Sequence, residues 1–89
     1  NVKLLSEFGL TPNQARVYLT IARLKLATVR QISRISNVRR EDVYRMLPKL
    51  EKMGLAEKLL GRPLKIRATP VEEGLSLLIK HEEDTARER

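Results

Sequence analysis

The chain has no cysteine and no tryptophan, one phenylalanine, two tyrosines and one histidine. Without cysteine there is neither a disulfide framework nor a thiolate metal site. No apolar run approaches the roughly 20 residues needed to span a membrane, and no signal-peptide pattern opens the chain. Catalysis has little to work with. His81 is the only histidine and lies in the polar stretch HEEDTARER, where Glu82, Glu83 and Asp84 are adjacent and splay around a helix instead of converging. A solvated acidic surface accounts for them better than a metal site. No glycine-rich phosphate loop or nucleophile–base constellation is present. The expectation is a protein that is not an enzyme and holds no metal or cofactor.

What is present is a modest core and a localised charge. At 89 residues and 42% hydrophobic, the chain makes one small domain with at most one appended element. Such a domain buries only about 60–65% of its unfolded surface. Net charge is +7. Residues 1–22 carry two basic and one acidic side chain, residues 23–69 thirteen and four, and residues 70–89 three and six. The positive excess sits in the middle, as a polyanionic partner requires, although a basic solvated surface has the same composition. The chain opens at Asn1 and not at methionine, the start expected of a piece of a longer protein.

In chain order, VKLLSEF (residues 2–8) predicts a short helix burying Leu4, Leu5 and Phe8, ended by Gly9. Thr11-Pro12-Asn13-Gln14 is a capping box with proline at the first helical position. The helix it opens should run to about Lys25, its apolar side holding Ala15, Tyr18, Leu19, Ala22 and Leu26, widened by Val17, Ile21 and Leu24. Tyr18 belongs in the core with its hydroxyl at the rim. Thr28-Val29-Arg30-Gln31 repeats the box, after room for a very short strand at Ala27 and Thr28. The helix that follows ends near Ser36, with Val29, Ile32 and Ile35 inward and Arg30, Gln31 and Arg34 outward. Asn37 suits a tight turn, and Val38 would plug it.

Residues 37–54, NVRREDVYRMLPKLEKMG, are the stretch around which the rest is organised. Val43, Met46, Leu47, Leu50 and Met53 make an apolar stripe at steps of three and four. Arg40, Glu41, Tyr44, Arg45, Lys49 and Lys52 fall elsewhere. Helix, short turn, amphipathic basic helix is the helix-turn-helix order. Pro48 interrupts it at a cost of about 3 kcal/mol in a regular helix. The helix either kinks there or splits near Leu47, and the apolar spacing favours a kink with continuation to Gly54. Residues 55–60 and 64–68 predict two strands around the turn Gly61-Arg62-Pro63, a hairpin with a basic tip. Thr69-Pro70-Val71-Glu72 is a third capping box. It opens a helix with Val71, Leu75, Leu78 and Ile79 on one side, polar all round beyond Ile79. The expected fold is mainly α with a small β-hairpin: a winged helix-turn-helix over residues 1–69 and a linker or dimerisation helix over 70–89.

Gly9-Leu10-Thr11 with Ala15-Arg16-Val17-Tyr18-Leu19, then Val43-Tyr44 with Leu47 and Leu50, then Gly54-Leu55, then Gly61-Arg62-Pro63 with Ala68 and Pro70, together resemble the N-terminal domain of the TrmB-type archaeal transcriptional regulators, over about residues 3–80. The resemblance implies a cytoplasmic, nucleoid-associated winged-helix protein that binds double-stranded DNA as a homodimer. Many members regulate sugar uptake and carry a C-terminal sugar-binding domain. This chain has no room for one, so no small-molecule effector site is expected within it. Arg39-Arg40-Glu41, Pro48 and Ile66 depart from the family pattern, the first two on the reading face itself.

The candidate DNA-contact residues follow. Arg40 and Arg45 suit base edges, since guanidinium pairs with guanine in bidentate fashion. Arg39 would read a base or hold a phosphate. Tyr44 would meet a phosphate or a base methyl, or else be a partly buried core tyrosine. Lys49 lies on the same surface. Glu41 and Asp42 favour the helix N-terminus and would repel phosphate, reject wrong sequences or accept from a cytosine amino group. Thr28, Arg30, Gln31 and Arg34 would hold backbone phosphates, and Arg62 with Lys65 would reach a minor groove or flanking phosphates. For any one basic residue a solvated side chain weighs as much as a contact. Two other functions fit the same chain: a winged-helix protein–protein module, and a duplex-binding chromatin protein without sequence choice.

Overall fold

A computed structural model describes residues 2–7, 9–70, 72–74, 76–77 and 79–80. The elements run α1 (Val2–Glu7), α2 (Pro12–Leu24), β1 (Leu26–Thr28), α3 (Val29–Ser36), α4 (Arg40–Lys52), β2 (Ala56–Leu59) and β3 (Lys65–Ala68). Residues 72–74, 76–77 and 79–80 are helical. The expectations for Phe8, Val71, Leu75, Leu78 and residues 81–89, and for the Leu4 side chain, lie outside the described residues. The architecture is the winged helix-turn-helix that the spacing predicts, with a three-stranded antiparallel sheet in the order β1-β3-β2.

Local chemistry starts the helices. Thr11 Oγ1 accepts from the Gln14 amide at 3.1 Å, and Gln14 Oε1 accepts from the Thr11 amide at 2.9 Å. Thr28 and Gln31 repeat the exchange at 3.2 and 2.9 Å. Each box satisfies two amides that a helix start otherwise leaves without partners, and losing such a cap costs about 1 kcal/mol. α2 stops at Leu24 because Lys25 takes φ 68° while its amide still bonds the Ile21 carbonyl at 2.8 Å. Leu26, expected on the apolar side of α2, therefore lies in β1 and is exposed.

α2 is the support on which the rest packs. Ala15, Val17, Tyr18 and Ile21 are buried, joined by Leu5, Leu10, Ile32, Val43, Leu47, Leu50, Leu55 and Ile66 in one core. Thr20 is also buried, its hydroxyl donating to the Arg16 carbonyl at 2.8 Å. In α3 the inward stripe is Val29, Ile32 and Ser36, not Val29, Ile32 and Ile35. Ser36 is tolerated there because its hydroxyl bonds the Ile32 carbonyl at 2.6 Å, and Ile35 is left half exposed.

The turn between α3 and α4 is fixed by four residues, Ser33, Ser36, Asn37 and Val38. Asn37 adopts φ 61°, ψ 30°. The Ser33 hydroxyl donates to the Val38 carbonyl at 2.6 Å, and the Val38 amide donates to Ser36 Oγ at 3.3 Å. Val38 is thereby seated in the core. α4 begins at Arg40 and continues unbroken across the exposed Pro48 to Lys52, short of the expected Gly54. The hairpin pairs Ala56 with Ala68 and Leu59 with Lys65, while β1 adds to the free edge of β3 through Ala27↔Ile66 and Thr28↔Lys65.

The last helical segment docks through Tyr18 and Gly74. The Tyr18 hydroxyl is not at the rim: the residue is fully buried and donates to the Thr69 carbonyl at 2.7 Å. Thr69, expected as a cap, donates its own hydroxyl to the Gly54 carbonyl at 2.6 Å. Gly74 is buried, and a Cβ there would collide with the Tyr18 hydroxyl. Burial, and secondarily the Glu73 carboxylate, push the Tyr18 phenol from 10.0 up to about 12.

Two outcomes are expected. Asn37→Val, forcing a β-branched residue into the left-handed region, should cost about 1–2 kcal/mol, whereas Asn37→Gly should be near neutral, both read from urea midpoints. The Tyr18 phenol titrates higher folded than unfolded, so its stabilising contribution is complete below pH 10 and disappears as pH rises through about 12. Denaturation curves in that window should show a loss of stability that Tyr18→Phe removes.

Candidate nucleic-acid interface

α4 is two-faced because of its periodicity. Val43, Leu47 and Leu50 are buried, with Met46 and Met53 packed against the core. Opposite them, Glu41, Arg45, Pro48 and Lys52 follow at steps of four, three and four, so they form one strip, and all four are exposed. Arg40, Tyr44 and Lys49 flank it and are exposed too. Tyr44 is 54% exposed, which removes the core alternative for it. Lys52 was not among the candidate contacts, yet it shares the strip with Arg45. Its i, i+7 spacing from Arg45 was the available signal.

α3 contributes a second exposed set. Arg30 and Arg34 lie one turn apart and exposed. Thr28 and Gln31 are engaged with each other in the capping box. The Gln31 carbonyl oxygen is taken by the Thr28 amide, and Gln31 is exposed. Arg39 holds Asp42 at 3.6 Å across one turn, with its side chain 85% exposed.

The sheet brings the wing to α3. Lys65, the first residue of β3, sits opposite Thr28 in β1 and Leu59 in β2. The base of the wing and the N-terminus of α3 are therefore neighbours. Arg62 is apart from them, in the exposed turn beyond the strands, beside Leu60, which is 90% exposed. The other charges of this region pair among themselves: Arg67 with Glu57 at 2.7 Å across β3 and β2, and Lys58 with Glu51 at 3.3 Å.

Arg30, Arg34, Arg40, Arg45, Lys49, Arg62 and Lys65 form no ion pair with any described residue. All seven are exposed. A groove of about 650 Å³ lies between the end of α2, the sheet and the start of the last helical segment, and none of the candidate contacts lines it. Among the described residues no group of His, Asp and Glu could hold a metal ion, and no helix is long and apolar enough to cross a membrane.

The structure is similar to that of TrmBL2, an archaeal chromatin protein, with a TM-score of 0.87 and 28% identity, covering 98% of this chain and 35% of TrmBL2. The chain thus spans about a third of that relative's length. It also matches the MarR family transcriptional regulator SPO1453 of Silicibacter pomeroyi (TM-score 0.68, 15% identity, covering 96% of this chain and 64% of the other). A third match is the transcriptional regulator Tm0710 of Thermotoga maritima (TM-score 0.68, 23% identity, 97% and 64%). At those identities the last two share the fold alone. A search of curated proteins gives no match. The family profile "Sugar-specific transcriptional regulator TrmB" matches residues 5–72, and the chain belongs to that family of DNA-binding winged-helix regulators.

Proposed function

We propose that the chain is the sequence-reading head of a transcription regulator, in which α4 enters the major groove and the wing lies on the flanking backbone. The observation that carries this reading is the division of α4 into a buried apolar stripe and an exposed surface on which Arg40, Arg45, Lys49 and Lys52 pair with no described residue. Arg40 and Arg45 read base edges from the N-terminal half of the helix. Tyr44 and Lys49 flank them, against a base methyl or phosphate. Arg30, Arg34 and the Gln31 amino group, with Thr28 beneath them, hold phosphates and set the register. Arg39 adds a phosphate contact, and Lys65 and Arg62 extend the cationic track along the wing.

The protein acts as a dimer in the cytoplasm, with residues 1–69 as the DNA-binding unit and the segment from residue 70 as the connection between copies. The exposed Leu77 and Ile79 on that segment support this arrangement. A second reading, duplex binding without sequence choice, is favoured by one observation: the similarity to TrmBL2, described as a chromatin protein.

The two readings separate on Arg45→Ala. The protein should bind duplex DNA with an affinity that falls steeply with salt, as counterions are displaced from several phosphates. On a duplex selected from a random pool, Arg45→Ala should weaken binding by about 1–3 kcal/mol while changing affinity for unselected duplex much less. Equal weakening on both would make Arg45 a phosphate contact and favour the chromatin reading. Absence of duplex binding in dilute buffer would leave the fold as a protein–protein module.

A further inference from the structure

The basic segment 23–69 contains four acidic residues: Glu41, Asp42, Glu51 and Glu57. Three are neutralised locally, Asp42 by Arg39, Glu51 by Lys58 and Glu57 by Arg67. Glu41 alone has no ion pair among the described residues. It is exposed and stands at the head of the strip that includes Arg45, one turn further along α4. An i, i+4 glutamate–arginine pair in that order readily forms on a helix surface. Here the two side chains stay apart, so a carboxylate and a guanidinium are presented side by side to the outside.

We propose that Glu41 is a specificity-determining residue of the DNA-reading face, accepting a hydrogen bond from the exocyclic amino group of a cytosine next to the base read by Arg45. This rests on the proposal that α4 lies in the major groove. An ionised carboxylate only accepts. In the major groove guanine presents two acceptors, thymine an acceptor and a methyl, and adenine an acceptor beside its amino group, while cytosine presents a donor alone. A carboxylate at this position therefore meets one base without repulsion. It also opposes phosphate wherever the helix sits out of register. Glu41 thus lowers affinity for arbitrary duplex and raises discrimination, the reverse of what the surrounding arginines do. Stabilisation of the α4 N-terminus by a first-turn carboxylate is a separate effect on folding and changes no base preference.

The test compares the unmodified protein with Glu41→Ala and Glu41→Gln in selection from a randomised duplex pool, followed by titration of single-base variants at fixed salt, with thermal melts to confirm folding. The unmodified protein should enrich cytosine at one position. Glu41→Ala should lose that preference, by roughly 5- to 100-fold in the ratio of affinities, and should bind unselected duplex more tightly than the parent. Glu41→Gln should move the preference at that position to adenine, which glutamine contacts through both N6 and N7. If the parent selects a sequence and Glu41→Ala selects the same one with the same discrimination, the role given to Glu41 is overturned while the major-groove reading stands. If the parent selects nothing, sequence reading itself fails and the role of Glu41 fails with it.

Discussion

The turn from Ser36 to Arg39 is the constraint on which the candidate DNA-contact surface depends. Two serine hydroxyls, one left-handed asparagine and one buried valine define it: Ser33 to the Val38 carbonyl, Ser36 to the Val38 amide, Asn37 at φ 61°, Val38 in the core. Neither hydroxyl is a strong interaction alone, each contributing about 1 kcal/mol net. Together they fix the direction in which the chain leaves α3. Once that direction is set, the apolar stripe of α4 meets α2 and its remaining surface faces out. The exposed cations of α4 are a consequence of how the turn is closed.

The described core that receives α4 is small and almost wholly aliphatic, so Tyr18, the one aromatic among the described core residues, carries more than its share. Tyr18 fills the centre of α2 and reaches the Thr69 carbonyl, joining the support helix to the chain beyond the wing. Gly74 permits the next segment to lie directly on that phenol, and Leu77 lies against Gly54. The Tyr18 hydroxyl ties α2 to the Thr69 carbonyl just beyond β3, and the Thr69 hydroxyl ties that residue to the Gly54 carbonyl just beyond α4. The end of α4 and the C-terminal segment are thus held to the same few residues.

Signals with short sequence spacing were legible, and those that depend on tertiary partners were not. Thr11 with Gln14 and Thr28 with Gln31 announced helix starts because a capping box is complete within four residues. The alternation of Lys65, Ile66, Arg67 and Ala68 placed a half-buried strand, and Asn37 marked a turn for the conformation it tolerates. Ile35 was misplaced because the α3 stripe runs through Ser36, and only the bond to the Ile32 carbonyl makes a serine acceptable there. Leu26 was misplaced because the end of α2 is set by the backbone at Lys25, where no glycine or proline marks it. The docking of Gly74 on Tyr18 joins residues far apart in the chain and has no local signature. At the interface, periodicity identified which side of α4 is exposed. It did not decide Tyr44, and it did not separate Glu41 from Asp42, since both are first-turn acids and only the geometry of Arg39 distinguishes them.

The electrostatic organisation is consistent with that picture. Within the basic segment Arg39, Lys58 and Arg67 form ion pairs, and the cations that pair with no described residue lie at the end of α2 (Arg23, Lys25) as well as on α3, α4 and the wing. The most direct test of the account is an NMR titration of the protein with a short duplex, following backbone amide and arginine side-chain signals. The account expects the largest shifts in the first half of α4 and at its arginine side chains, with smaller ones at the start of α3 and at the wing. Shifts confined to the groove beside α2 or to the last helical segment, with α4 unmoved while DNA binds, would contradict it.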